Sequence, residues 1–348
     1  MKKHIFFILL IVFFPYFFCI IGSMFTDKLR LGQGDNRIEH NHLGKDVLIE
    51  INGLYKTMDV EEYVLGILPG TISVDYDIEA LKVQAVLIRT NVLKEMEEKG
   101  SSDASDLSYH YLSVEERKEL FGERNFERYS KKFEQSVVAT AGKVLRQEGS
   151  LIMAMYHEVS IGKTASANEI LGEDISYLQS VESSHDVEAK HYMNVVTYTW
   201  SELQEITAQA AALDTIKEEA TSEEEVKSAE STEASAKNDK ETQDITTEQQ
   251  VKQQDIQVTE VTENCFVKKI SVDGTIYTGE EAMERYGLSS MNFYVENIEE
   301  GVRFVCLGKG NCLGVSQYGA NWMAIQGSTF EEIIRYYYGK VGIESFKS

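Results

Sequence analysis

The chain has 348 residues, 43% of them hydrophobic and 10% aromatic, enough to build one large domain or two small ones. Its formal net charge of -23 argues against nucleic acid as a partner. Its four cysteines are too few for a disulfide scaffold.

Residues 2–22, KKHIFFILLIVFFPYFFCIIG, set two lysines before a nearly unbroken apolar run long enough to cross a bilayer. An uncleaved transmembrane anchor is expected over 1–22, with the lysines inside and the rest of the chain outside the cytoplasm. A signal sequence is the alternative, although no small-x-small cleavage site clearly follows. Residues 23–45 read as a polar stalk. From Val47 the pattern VLIEINGLYKTMDVEEYVLGILPG predicts a hairpin around Asn52-Gly53 and a short helix ending near Pro69-Gly70.

The stretch DIEALKVQAVLIRTNVLKE, residues 77–95, reads as one helix that is apolar almost all the way round. At about 100° per residue, Leu81, Ala85, Ile88 and Val92 fall on one side and Ala80, Val83 and Leu87 on another, so the helix is buried. Asp77 can cap it, which places Glu79 in the first turn, where the helix dipole favours a carboxylate. Thr90 lies along the same line as Glu79, and Lys82 and Arg89 share a strip about 60–80° away. Charged groups on a buried helix need partners or a wet cleft. One acid among several donors in a cleft is what acid catalysis on a sugar bond requires, whereas a first-turn structural acid is the plainer alternative.

Residues 101–113 are polar, and a charged helical stretch follows from Val114 to about Ala141. KVLRQEGSLIMAMYHEV and SYLQSVESSHD read as strands flanking a loop with Gly162 and Thr164. Between 205 and 263 no aromatic residue occurs and acidic residues outnumber basic ones roughly three to one, which predicts a disordered acidic insertion. CFVKKISVDGTIYTG then resumes strand patterning. Two short helices close the chain, the second opened by a Thr329/Glu332 capping box and stopped by Gly339. The fold class is α+β, mixed helices and antiparallel strands. Segments 46–204 and 264–348 are expected to form one domain around the insertion. Cys19 belongs to the anchor, and Cys265, Cys306 and Cys312 are most simply one bridge and one free thiol. No closely spaced Cys or His pair offers a fourth zinc ligand, so neither a metal site nor a cofactor is expected.

Three blocks resemble the stage II sporulation protein D family: LPGTISVDYDIEALKVQAVLIRT, AMYHEVSIGKTASANEILGEDISYLQSVESSHD and GKGNCLGVSQYGANWMAIQGSTFEEIIRYYYG, in the family's order. The resemblance implies a membrane-anchored peptidoglycan lytic transglycosylase. Such an enzyme cleaves glycan strands between MurNAc and GlcNAc to leave 1,6-anhydro ends, and thins the septal wall during engulfment with an amidase and a third membrane protein. The family's catalytic glutamate falls at Glu79. A transglycosylase needs only one carboxyl group, because the sugar's own C6 hydroxyl serves as nucleophile. Related proteins include amidase enhancers, so a glycan-binding module that does not cut is the main rival; a scaffold of the engulfment machinery is the other.

The resemblance and the residue chemistry together nominate the substrate-binding set. Lys82 lies beside Glu79. Arg89 could clamp a sugar carboxylate with its planar fork or could form a structural ion pair. Gln84 could meet N-acetyl groups or only pair with backbone. Tyr156, His157, Ser160 and Thr164 match polar positions of the second block, and Ser316, Gln317 and Tyr318 precede a helix in the third. One departure stands out: the family's Gly-His-Gly is here Gly310-Asn311-Cys312, and Asn311 can hydrogen-bond but cannot titrate.

Overall fold

The structure is a computed structural model that describes residues 43–209 and 253–346. The expected anchor at 1–22, the expected stalk up to residue 42 and the middle of the expected acidic insertion lie outside the described residues. Among the described residues, no helix is long and apolar enough to cross a membrane.

The first hairpin forms where the alternation places it. Strand β1 (Asp46–Ile51) pairs antiparallel with β2 (Leu54–Asp59), Ile51 opposite Leu54. The two connecting residues, Asn52 and Gly53, have φ of 53° and 78°, the left-handed values that a two-residue turn matched to strand twist demands. The Asp59 side chain accepts the Glu61 N–H and opens helix α1 (Val60–Thr71). The Asp77 side chain accepts the Glu79 N–H at 2.9 Å and opens helix α2 (Ile78–Lys99), which Gly100 closes at φ 60°.

Helix α2 is the core element the wheel predicts. Leu81, Ala85, Ile88 and Val92 pack in one cluster with Tyr63, Val64, Ile67 and Leu68 of α1 and with Phe133 and Val137. Ala80, Val83, Val86 and Leu87 are buried as well. The charged stretch that follows is two helices rather than one, α3 (Val114–Phe121) and α4 (Glu123–Ala139). Gly122, at φ 70° and ψ 145°, leaves the helical region and breaks the run. Strand β3 (Lys143–Gln147) then lies between β4 (Ser150–Leu151) and the C-terminal strand Gly342–Ser345, antiparallel to both.

The described residues form two compact units, and each takes residues from both sides of the acidic insertion. Among the described residues, one holds 43–154, Ala324–Ile333 and 340–346; the other holds 155–209, 253–323 and Ile334–Gly339. The physical reason is that the apolar side chains collect in separate clusters: one around α1 and α2, the others among residues of the second unit. In the second unit β5 (Tyr156–His157) pairs parallel with the strand Val315–Ser316. Strand β6 (Met193–Thr199) pairs antiparallel with Gly301–Leu307, which in turn pairs antiparallel with Phe293–Ile298. Mixed helices and mostly antiparallel strands make the class α+β, as expected.

Three further expectations are corrected. The acidic insertion is narrower than its composition suggests, because 200–209 is helical and Ile256–Val261 is a strand paired with Val267–Val272. Ile256 is buried and Val258 packs on the same core, an alternation that a composition count averages away. SYLQSVESSHD is no strand: its end winds into the 3-10 turn Ser184–Glu188, where Ser and Asp side chains compete with ladder bonds. The expected disulfide is absent. Cys265 is exposed, while Cys306 and Cys312 are buried as free thiols in two different clusters. Burial pushes the Cys312 thiol up to about 12.

Helix α2 is fixed by a buried ion pair. Arg89, 0% exposed, donates Nε and Nη2 to the two oxygens of Glu61 in α1 at 2.8 and 2.5 Å, and Nη1 to the Lys143 carbonyl. Glu61 also accepts the Gly142 N–H. Removing one partner strands a buried charge, so Glu61→Gln is expected to lower unfolding free energy by about 3–5 kcal/mol in urea titrations, and the apolar pair Glu61→Leu/Arg89→Met to recover most of it. A loss below about 1 kcal/mol would refute the organising role of the pair.

Candidate functional site

In the first unit, the polar side chains of α2 sort by depth. Thr90 donates to the Val86 carbonyl and accepts the Leu145 N–H, tying α2 to β3. Asn91 accepts the Ala154 N–H and donates to the Ala154 carbonyl. Arg89 belongs to the ion pair, so of the two roles weighed for it the structural one is realised; it has no surface with which to clamp a substrate. Gln84 is 1% exposed, and its Nε2 has no hydrogen-bond partner, so it does not reach the surface either.

The first turn opens to solvent, as do the last turns from Lys94 to Lys99. The side chains of Glu79 and Lys82 are each 21% exposed, and Lys82 Nζ lies 2.5 Å from Glu79 Oε1. Glu79 Oε2 accepts the N–H of Phe330 at 2.8 Å. That N–H is the first of the helix Phe330–Tyr338, one of the donors a helix N-terminus leaves without an internal partner. The predicted Thr329/Glu332 capping box is formed here, with both reciprocal bonds present. Lys132 of α4 holds the loop ahead of Asp77 by donating to the carbonyls of Val74 and Tyr76. Glu79 is thus a fixed, half-open carboxyl group beside one cation and two helix N-termini. Its carboxyl group is reached by solvent, as those of Glu61 and Asp186 are not.

In the second unit, two of the nominated residues, Ser160 and Ser316, meet at an acid that the sequence reading passed over. Asp186 is 0% exposed. Its Oδ2 accepts the Ser160 N–H at 2.6 Å and the Ser316 hydroxyl at 2.5 Å, and its Oδ1 accepts the Ser183 hydroxyl at 2.8 Å. A buried carboxylate with three donors is a stable hub. The Ser316 hydroxyl also accepts the Gly319 N–H, and the Ser160 hydroxyl accepts the Gly162 N–H. Thr164 bridges to Val181. His157, 3% exposed, bonds through Nδ1 to the Leu313 carbonyl, while its Nε2 is buried without a partner.

His157, Ser160, Thr164 and Ser316 are therefore inside the protein, and Gln317 is only 5% exposed. Tyr156 and Tyr318 keep partial exposure. Asn311 turns its side-chain oxygen onto the Leu313 N–H, a local staple that needs no titratable group. Asp186 had one signal in the sequence, an acid set among serines within a quoted block, but nothing in a linear pattern shows that it faces inward.

A family model described as "Stage II sporulation protein" matches residues 52–146. The stage II sporulation protein D of Bacillus amyloliquefaciens is 26% identical over 85% of this chain and 77% of its own length. That of Bacillus subtilis is 28% identical over 82% and 75%. An uncharacterised protein of Brachyspira hyodysenteriae is 24% identical over 86% and 70%. The matched 52–146 segment contains α2 and Glu79.

The buried imidazole generates a pH prediction. Desolvation holds His157 below its ordinary value, opposed by the bond to Leu313 and by the charge of Asp186. With the folded value below the unfolded one of about 6.5, the unfolded chain takes the proton first as pH falls. This contribution is fully present above about pH 6.5 and is lost below it, at up to about 1.4 kcal/mol per pH unit. His157→Asn keeps a side-chain donor near the Nδ1 position without a titrating group. It should flatten the dependence of unfolding free energy on pH between about 6.5 and 5 in urea titrations. An unchanged slope would assign the acid sensitivity to other groups.

Proposed function

This chain belongs to the stage II sporulation protein D family, and from that premise we propose that it is a membrane-anchored peptidoglycan lytic transglycosylase. The anchor at its N-terminus would hold it with its folded units outside the cytoplasm. There it would cut glycan strands between MurNAc and GlcNAc during engulfment, alongside an amidase and a further membrane protein.

The observation that carries the proposal is the position of Glu79. Of the four candidate site residues on α2, Glu79 and Lys82 combine a fixed place with access to solvent, whereas Gln84 and Arg89 are buried. Protonated, Glu79 gives its proton to the glycosidic oxygen as the C1–O bond of MurNAc breaks, and the GlcNAc end leaves as an alcohol. The MurNAc C6 hydroxyl attacks C1 from within the same sugar. The Glu79 carboxylate then takes the hydroxyl proton, which closes the 1,6-anhydro ring and restores the acid. No water is consumed. Lys82 Nζ and the Phe330 N–H hold the carboxylate still between the two proton transfers.

A second reading has its own observation. Both oxygens of Glu79 are engaged, one by Lys82 and one by a helix N-terminus, which also suits an acid that fixes structure in a protein that grips glycan without cutting it.

Glu79→Gln separates the two. Glutamine retains an oxygen for the Phe330 N–H and forfeits the partly exposed pair with Lys82, a cost of about 0.2–1 kcal/mol. Release of 1,6-anhydro-MurNAc ends from peptide-free glycan strands should fall by about 10²–10⁴-fold, with binding and melting temperature nearly unchanged. Wild-type protein that binds strands and cuts none would favour the binding module, and collapse of the fold in Glu79→Gln would favour the structural acid.

A further inference from the structure

The second unit contains a pocket of about 240 Å³ that none of the nominated residues occupies. Its walls are aromatic. The Trp322 indole and the His185 imidazole are stacked, centroids 3.8 Å apart and planes within 12°. Tyr336 and Tyr337 meet edge to face at 88°, and Tyr336 is 45% exposed. Glu182 and Ser184 stand at the polar part of the lining.

The walls are built from below by the buried hub. Ser183, bonded to Asp186, also bonds the Tyr337 hydroxyl at 3.0 Å, and the Tyr336 hydroxyl donates to the Glu182 carbonyl. Gly319 makes room for this: a Cβ there would lie 2.2 Å from the Tyr337 hydroxyl, 2.3 Å from Ser183 Oγ and 3.0 Å from Asp186 Oδ1. The only side chain that fits over the hub is none at all. The Tyr336 and Tyr337 rings are therefore held in place by hydrogen bonds before any ligand arrives, and the Trp322 indole by its stack on His185.

We propose that this pocket is a subsite for one N-acetylated pyranose ring, with the Trp322–His185 stack as its platform. A pyranose presents one face of C–H groups and an equatorial belt of hydroxyls. Aromatic planes are the natural partner for the first, and a few polar groups at a rim for the second. A cavity of this size takes one ring and not a folded peptide. The proposal rests on the glycan reading above and deepens it: Trp322 becomes the residue that seats the strand, and Asp186 with Gly319 the residues that position its pocket.

The test titrates the full-length protein with triacetylchitotriose, read by tryptophan fluorescence and by calorimetry. Trp200, 7% exposed in a separate cluster, serves as a constant background, so a saturable change reports Trp322. Trp322→Ala is expected to weaken binding by about tenfold or more, Trp322→Phe to stay within about threefold of wild type, and His185→Ala to fall between. Circular dichroism checks folding. Should Trp322→Ala fail to fold, the fluorescence change in wild type and the loss in His185→Ala, at a half-buried position, decide the matter. Unchanged affinity in the folded variants, or binding with no response from Trp322, overturns the subsite and leaves the glycan reading standing. Wild type that cleaves strands but binds no chitotriose also overturns the subsite alone, whereas wild type that neither binds nor cleaves overturns both.

Discussion

The buried bidentate pair between Glu61 and Arg89 is the constraint on which the first unit depends. It joins α1 to α2, and through Gly142 and the Lys143 carbonyl it reaches the start of β3. Two charges out of water are tolerable only when their hydrogen bonds are met, and every one of these bonds has a single geometry. That geometry sets the rotation of α2 about its own axis. Once the rotation is set, Thr90 and Asn91 meet their backbone partners, and the first turn of the helix is left facing solvent.

Glu79 inherits its position from this arrangement. The acid is held by the Asp77 cap at its own helix start, by Lys82 one turn on, and by the first N–H of the helix Phe330–Tyr338. Fixed placement is what the proposed role of proton donor needs, since a group displaced by an ångström loses most of its advantage. The second unit applies the same principle with a different buried acid. Asp186 gathers Ser160, Ser183 and Ser316 and so sets the walls of an aromatic pocket.

What the sequence made legible was local. Apolar spacing located α2, Asp77 and Thr329 located helix starts, and Asn52-Gly53 located a turn, because each depends on side chains a few residues apart. Arg89 shows where such reasoning stops. A wheel gives the direction in which it points, but its partner lies 28 residues earlier in another helix. Asp186 fails to stand out for the same reason, since the bond to Ser316 spans 130 positions. The strand Ile256–Val261 was missed because its alternation is short and sits in a polar, acidic background. The division into two units is not legible in the sequence, because apolar content says how much core there is, not how many clusters it forms.

The account stands on one chemical claim, that the substrate's C6 hydroxyl, and not water, attacks the carbon whose bond Glu79 helps to break. Cleavage of glycan strands in ¹⁸O-labelled water, followed by mass spectrometry of the released ends, tests it directly. The account predicts anhydro ends that carry no ¹⁸O and are lighter than a reducing end by one water. Reducing MurNAc ends that carry the label would make water the nucleophile and contradict it.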